Sequence, residues 1–187
     1  MVALGRHTGQ TAGMGLLNRD RAEDVDVESC LANLHRLEAV RESGLLEGSD
    51  QERLDSLTLA ASQRLATPMA FMSIVEDHRV FFAGATGISG ELARTREHSP
   101  EATYCHYVAA MDDVLMVNDS TTDELVQGHP ATTGNGVRAY LGVPLRYQGQ
   151  CLGSFCVVDV RTREWTDEDL AALEELAADA MAGGPGS

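Results

Sequence analysis

Apolar residues recur at helical spacing near both ends of the chain and form near-continuous runs between them. From Val27 to Glu42 an apolar residue recurs every three positions, which predicts an amphipathic helix. A second helix is predicted to run from the N-cap Ser49 to about Leu65, because Glu52 completes a capping box and an apolar stripe follows. Thr166, followed by three acidic residues, is predicted to cap a last helix.

The apolar runs in the middle of the chain predict strands that pair as hairpins. Residues 69–75 and 79–85 flank a short polar turn, which is typical of a hairpin. A longer hairpin is predicted over residues 137–159, where Gly149 suits the positive φ of a tight turn. Both of its strands carry apolar residues on both faces, which favours the centre of a sheet. Helices at the ends and strands in hairpins predict an α+β fold with a central antiparallel sheet.

The chain length favours one domain with short flanking segments. The chain has 187 residues, of which 43% are hydrophobic, so it can bury one core. Residues 1–26 are polar, contain several glycines and show no periodicity, so they are predicted to form a flexible tail. A single domain is predicted over residues 27–182, and residues 183–187 are predicted to fray.

Net charge and the lack of targeting signals limit the partners and the compartment. A formal net charge of −15 argues against a nucleic-acid surface, which needs Lys and Arg, and against binding to anionic membranes. Met1–Leu17 shows no signal-peptide pattern, and no apolar run is long enough to span a bilayer. A cytoplasmic location with reduced thiols is therefore expected.

The four cysteines show no CxxC spacing. Cys151 and Cys156 lie an odd number of residues apart on one predicted strand, which places them on opposite faces, so no disulfide between them is expected. Cys105 precedes His106 and could be a thiol activated by histidine, or a metal or haem ligand. The alternative is a structural role, because adjacent side chains rarely point at one centre.

Two hairpins resemble the GAF domain family. The central hairpin contains Gly136–Leu145 (GVRAYLGVPL) and Leu152–Asp159 (LGSFCVVD), which are similar to the core of GAF domains found beside histidine kinases, cyclases and phosphatases. Pro68–Phe82 (PMAFMSIVEDHRVFF) is similar to the opening of that group, and Thr103-Tyr104-Cys105 stands where Ser-Phe-Cys is common. The resemblance covers roughly residues 36–181. It implies a GAF/PAS-like layout, with N- and C-terminal helices on one face of the sheet and a loop-covered ligand pocket on the other.

Several side chains in or beside the predicted pocket cover, residues 87–136, could contact a ligand. His98 and His129 could sense pH or meet an anion, or could be solvated. Asp119 could bind a ligand base or amine, or cap the following turn. Arg138 could pair with Asp119 or with an acidic ligand, or only form a salt bridge or lie at an exposed edge. Tyrosines in this region could stack on a planar ligand or only pack. The candidate pocket residues are Tyr104, Cys105, Asp119, His129, Arg138 and Tyr140.

The sequence shows no standard catalytic signature and does not identify a cofactor. It also lacks the Asn-Lys-Phe-Asp-Glu set of cyclic-nucleotide-binding GAF domains. The resemblance implies a non-catalytic sensory module in signal transduction that binds a small molecule, a signalling partner protein, or both. The leucine stripes of the terminal helices permit a homodimer. Two alternatives stay open: a GAF-fold thiol reductase acting on free methionine sulfoxide, and a haem or metal redox sensor.

Overall fold

The computed structural model describes residues 25–48 and 50–183. Its α-helices are α1 Val27–Leu31, α2 Leu34–Glu42, α3 Gln51–Arg64, α4 Gly90–Thr95, α5 Cys105–Met111, α6 Pro130–Thr133 and α7 Asp167–Ala182, with a 3₁₀ turn at Pro100–Ala102. Its strands are β1 Met69–Val75, β2 Val80–Thr86, β3 Glu97–His98, β4 Leu115–Val117, β5 Ala139–Tyr147 and β6 Gln150–Asp159. Ser49, most of the predicted tail and most of the predicted frayed end lie outside the described residues, so the predictions for them stay predictions.

The strands form one antiparallel sheet in the order β3-β2-β1-β6-β5-β4. The predicted α+β fold is therefore confirmed. The β5–β6 hairpin closes through Gln148 (φ 50°) and Gly149 (φ 76°). Positive φ at both central residues is the conformation whose twist matches paired strands. β6 pairs with β1 on one side and β5 on the other, so the hairpin reaches the centre of the sheet, as predicted.

Each face of the sheet carries its own apolar core. On one face, α2, α3 and α7 cover a core that includes Met72, Leu141 and Phe155. Thr166 caps α7 and forms a capping box with Asp169, which confirms the predicted start of that helix. On the other face, α5 and the loops of residues 87–136 cover a second core. We call this covering segment, residues 87–136, the cover.

The predicted helix over residues 27–42 is wrong in one respect, because it is broken. The Asn33 side chain accepts hydrogen bonds from the backbone amides of His35 and Arg36 at 3.0 and 3.2 Å, so a new helix begins there. Leu31 packs into the core beneath the cover, whereas Leu34 is 76% exposed. The three-residue spacing therefore does not form one buried stripe, and α1 packs on α5 instead of joining the other terminal helices.

A bulge in β6 overturns the expectation for Cys151 and Cys156. Leu145 pairs with Gly153 and Arg146 with Cys151, so Leu152 is an extra residue in the register. Side-chain alternation is thereby shifted by one position. Cys151 Sγ lies 3.8 Å from the Val108 carbonyl and Cys156 Sγ lies 3.8 Å from Cys105 Sγ, so both thiols contact α5 on the same face. All four cysteines are free.

Candidate functional site

A cavity of about 230 Å³ lies between the sheet and the cover. Apolar and aromatic side chains of β1, β2, β5 and β6 form its floor, and cover residues form its roof. It is lined by Met69, Phe71, Phe82, Leu92, His98, Ala102, Thr103, Tyr104, Cys105, Ala131, Asn135, Val137, Tyr140, Cys156 and Val158. A mostly apolar concavity with a few polar groups is the usual form of a small-molecule site. A larger groove of about 600 Å³ lies between α7 and β5, and exposed charged residues such as Arg146 and Glu174 are among those that line it.

Two tyrosines shape the wall of the cavity. The Tyr104 and Tyr140 rings meet edge to face, with centroids 5.4 Å apart and an interplanar angle of 79°. Both hydroxyls already have protein partners: Thr132 Oγ1 lies 2.5 Å from that of Tyr104, and Ser154 Oγ lies 2.9 Å from that of Tyr140. The tyrosines therefore offer ring surface to the cavity, with their polar ends held by protein.

A polar network surrounds two thiols that line the cavity, Cys105 from the cover and Cys156 from β6. Cys105 Sγ is 3.8 Å from Cys156 Sγ, 3.2 Å from Ser73 Oγ and 3.6 Å from the Tyr140 hydroxyl. Hydrogen bonding with Cys156, Ser73 and Tyr140 outweighs burial and lowers the pKa of the Cys105 thiol. Burial, with the hydrogen bond to Cys105, raises the pKa of the Cys156 thiol. Cys105 therefore loses its proton more readily than Cys156.

His129 lies behind the cavity wall. Its ring packs edge-on against Tyr104 at 4.9 Å and stacks on His106 at 5.4 Å. Nδ1 accepts the Ala131 amide at 3.0 Å, whereas Nε2 is buried without a protein hydrogen-bond partner. Burial and the neighbouring His106 lower the pKa of His129 to about 4, so the ring is neutral at pH 7. His129 therefore supports Tyr104 and does not line the cavity.

The Cys105-His106 pair points in two directions. Cys105 faces β6, whereas His106 Nδ1 bonds the Pro100 carbonyl at 2.7 Å and its ring lies tilted against that of Tyr107, with centroids 4.0 Å apart. Burial, partly offset by that hydrogen bond, lowers the pKa of His106. The two residues do not act as a thiol–imidazole pair. Within residues 25–48 and 50–183, no group of three or more His, Cys, Asp or Glu side chains is placed to hold a metal ion.

Asp119 and Arg138 lie outside the cavity and do not pair with each other. The Asp119 carboxylate accepts hydrogen bonds from the Thr121 amide and hydroxyl at 2.9 and 2.7 Å. Asp119 therefore caps the following turn, which is one of the two roles predicted for it. These bonds lower the pKa of its carboxyl. Arg138 donates to the carbonyls of Thr132 and Val137, both at 3.2 Å, and so braces the end of the cover.

Of the six candidate residues, three line the cavity: Tyr104, Cys105 and Tyr140. Sequence reasoning missed Cys156 and Asn135 as lining residues, although it placed His98 in the cover. Cys156 could have been found from strand pairing, because Tyr140 pairs with Val158 and side chains two residues apart share a face. Asn135 follows a four-residue helix in a polar loop, where the sequence offers no comparable signal.

The part of the chain that the structure describes contains no helix of sufficient length and hydropathy to cross a bilayer.

Comparison with known proteins relates this architecture to a family. The GAF domain model matches residues 50–182. A cyclic di-GMP phosphodiesterase of Pseudomonas aeruginosa is 32% identical over 146 residues, which are 76% of this chain and 24% of that protein. The chain thus spans about a quarter of the length of that relative.

Solved structures show the same fold at low sequence identity. The GAF domain of an Acinetobacter phosphoenolpyruvate-protein phosphotransferase matches with a TM-score of 0.58 and 13% identity, over 80% of this chain and 92% of that one. The blue-light absorbing form of the PixJ GAF domain from Thermosynechococcus elongatus gives 0.60 and 19%, over 74% and 86%. A type II free methionine-R-sulfoxide reductase from Thermoplasma acidophilum gives 0.56 and 16%, over 71% and 89%. The matched family model covers most of the chain, and the resemblance to GAF domains of sensory proteins is confirmed: the chain belongs to the GAF domain family.

Proposed function

We propose that this domain is a regulatory module of cytoplasmic signal transduction that binds a small, flat, mostly apolar molecule and has no catalytic activity of its own. The observation that carries the proposal is the cavity of about 230 Å³ between the sheet and the cover, walled by the rings of Tyr104 and Tyr140. Membership of a family found in signalling proteins supports the regulatory part.

The size of the cavity limits the ligand. A cavity of roughly 150 Å³ accommodates benzene, and drug-sized ligands occupy about 300–1,000 Å³. A cavity of about 230 Å³ therefore suits a molecule of one or two rings. Tetrapyrroles are far larger, which argues against haem. Thr103, His98 and Asn135 place polar atoms around the apolar wall and provide positions for one or two hydrogen bonds.

Two contacts link the cover to the helices on the opposite face of the sheet. Arg96, in the cover, makes two hydrogen bonds to Asp55 of α3, at 2.6 and 3.2 Å. Trp165, just before α7, donates its indole N–H to the Val117 carbonyl at the end of β4, at 3.0 Å. A ligand that shifts the cover would change the positions of α3 and α7 through these contacts. We infer that the helices pass the shift to a signalling partner.

We also propose that the domain acts on a signalling partner protein and forms a homodimer. The similarity to part of a cyclic di-GMP phosphodiesterase supports an output in a signalling enzyme. Leu173 and Leu176 of α7 pack into the domain's own core, so they are not free to form a dimer. Leu34 of α2 is 76% exposed, so an apolar side chain there is available for a dimer contact. Light scattering at high concentration would reveal a dimer, and a monomer would remove this part of the proposal.

A reductase is the second candidate, because a free methionine sulfoxide reductase shares the fold. The two thiols that line the cavity, Cys105 and Cys156, are only 3% and 0% exposed, so a molecule as large as methionine sulfoxide cannot reach them from solvent. We therefore expect no turnover of free methionine-R-sulfoxide with a thiol donor. Sustained turnover that is lost in the Cys105→Ser variant would replace the regulatory proposal with an enzymatic one.

Native mass spectrometry on freshly purified protein tests ligand binding directly. We expect a bound small molecule and a visible spectrum without a Soret band. Val137→Phe fills the cavity from its rim and should abolish the bound mass. Val160→Phe adds the same volume at a 54% exposed position away from the cavity and should retain it. A bound mass that survives Val137→Phe would place the ligand elsewhere, and an empty wild-type protein would favour a domain that binds only a protein partner.

A further inference from the structure

The meeting of the cover with β6 brings together two cysteines that lie 51 residues apart in the sequence. Cys105 begins α5 and Cys156 lies near the middle of β6. Their sulfur atoms are 3.8 Å apart and both side chains line the cavity. A disulfide bond is about 2.05 Å long, so the sulfurs need to approach by roughly 1.8 Å. Cys105 lies on a short helix of the cover, whereas Cys156 lies within the sheet.

We propose that Cys105 and Cys156 form a reversible dithiol–disulfide pair that is oxidised by hydroperoxides entering the cavity. The pair is a modification site whose oxidation requires no bound ligand, although both thiols line the cavity proposed for the ligand. Hydrogen peroxide is little larger than a water molecule, so a cavity of about 230 Å³ admits it although both thiols are shielded from bulk solvent.

The hydrogen bonds around the pair assign the two roles. Cys105 can receive hydrogen bonds from two groups, the Cys156 thiol and the Tyr140 hydroxyl, while its own protonated thiol donates to Ser73 Oγ. Ser154 Oγ lies 2.9 Å from the Tyr140 oxygen and can donate to it, which leaves the tyrosine proton free to point at Cys105. These donors stabilise a thiolate, and the thiolate is the nucleophile toward peroxides. Cys105 therefore reacts first and Cys156 resolves the product.

Each step balances. The Cys105 thiolate attacks one peroxide oxygen, so that an S–O bond forms and the O–O bond breaks, and the leaving oxygen takes up a proton and departs as water or an alcohol. This leaves a sulfenic acid on Cys105. Cys156 then loses its thiol proton and attacks Cys105 Sγ; the S–S bond forms, the S–O bond breaks, and the hydroxyl leaves with that proton as water. In total, two thiols give two electrons to one peroxide.

The other two cysteines lack this arrangement. Cys151 Sγ lies near the carbonyls of Val108 and Gly153, which accept hydrogen bonds and give none. Burial raises the pKa of Cys151 to about 12, so its thiolate is scarce at pH 7. Cys30 is partly exposed and lies outside the cavity lining. These residues therefore serve as internal controls.

The test is oxidation of the folded, fully reduced chain with hydrogen peroxide, followed by alkylation in denaturant and mass spectrometry. We expect the oxidised chain to keep two alkylatable thiols of its four and to yield a peptide pair linking Cys105 to Cys156. Dithiothreitol should restore all four. Cys151→Ser and Cys30→Ser should form the same link, whereas Cys156→Ser should stop at a sulfenic acid on Cys105 that dimedone captures.

A further variant tests the hydrogen-bond assignment without removing a thiol. Tyr140→Phe deletes one donor to Cys105, and a rise of one unit in its pKa would slow oxidation about tenfold at pH 6. An unchanged rate would overturn the assignment of Tyr140. No link in the wild-type protein, or a link that uses Cys30 or Cys151, would overturn the proposal itself, whatever the variants do.

Discussion

Replacing Arg96 by Met should destabilise the domain, because Arg96 joins the cover to the helix layer. Its side chain is only 12% exposed and makes three hydrogen bonds: two to the Asp55 carboxylate, at 2.6 and 3.2 Å, and one from Nε to the Phe82 carbonyl, at 2.8 Å. Asp55 keeps one partner, the Ala85 amide at 2.8 Å, and is 33% exposed, so water can solvate part of its charge.

The cost follows from these contacts. A hydrogen bond to a charged group contributes about 1.5–3 kcal/mol, and a partly exposed ion pair contributes toward the low end. Since Asp55 can be rehydrated, the loss should total roughly 2–3 kcal/mol for Arg96→Met. Arg96 has φ 55°. Because Met also carries an unbranched side chain, the backbone strain is the same before and after the change.

Urea denaturation measures the effect, and a double-mutant cycle with Asp55→Asn isolates the pair. We expect a coupling of about 1–2 kcal/mol between the two residues. Arg94→Met is the matched control, because Arg94 pairs with Glu91 at 3.0 Å while both side chains are more than 70% exposed. It should change stability by less than about 0.5 kcal/mol. A coupling below about 0.3 kcal/mol, or equal effects at the two arginines, would refute this account of the link.

Two further predictions concern packing and pH. Gly153→Ala places a Cβ 2.0 Å from the Ser73 carbonyl oxygen and should cost more than about 3 kcal/mol by denaturation, whereas Gly128→Ala, with nothing within 4 Å, should cost less than about 0.5 kcal/mol. Burial holds the pKa of His129 at about 4, below its ordinary 6.5, so the unfolded state binds the proton more readily. Stability should be full above pH 6.5 and should fall by roughly 1–3 kcal/mol as the pH drops toward 4, with buried His106 adding in the same direction. His129→Asn keeps an acceptor for the Ala131 amide and should reduce the loss of stability between pH 6.5 and pH 4. The same loss of stability in the variant would show that protonation of His129 does not cause it.

The broken N-terminal helix shows where local patterns mislead. Leucine spacing predicted one helix from Val27 to Glu42, and each half does form a helix. Asn33 can be solvated within a helix or can cap a new one, and its sequence neighbours do not distinguish these outcomes. The choice depends on Leu31, which packs beneath the cover, on the opposite side of the sheet from Val40. Tertiary packing therefore decides the break.

The candidate site was predictable only in part, for a related reason. Tyr104, Cys105 and Tyr140 could be assigned to the cavity because the family resemblance placed their segments around a pocket. His129, Asp119 and Arg138 lie in the right segments but face elsewhere, since a loop residue's direction has no periodicity from which to infer it. One register shift at Leu152 moved Cys151 to the face opposite the one that alternation predicts.

The sequence by itself determined the two main hairpins, the last helix and the fold class. The apolar runs, the turn at Gly149 and the cap at Thr166 act over a few residues, and these local preferences agree with one another. Tertiary structure alone decided the meeting of Cys105 with Cys156 and of Asp55 with Arg96, pairs that are 51 and 41 residues apart. Such contacts depend on where the helices and the cover pack against the two faces of the sheet. The spacing of residues along one strand or helix does not contain that information.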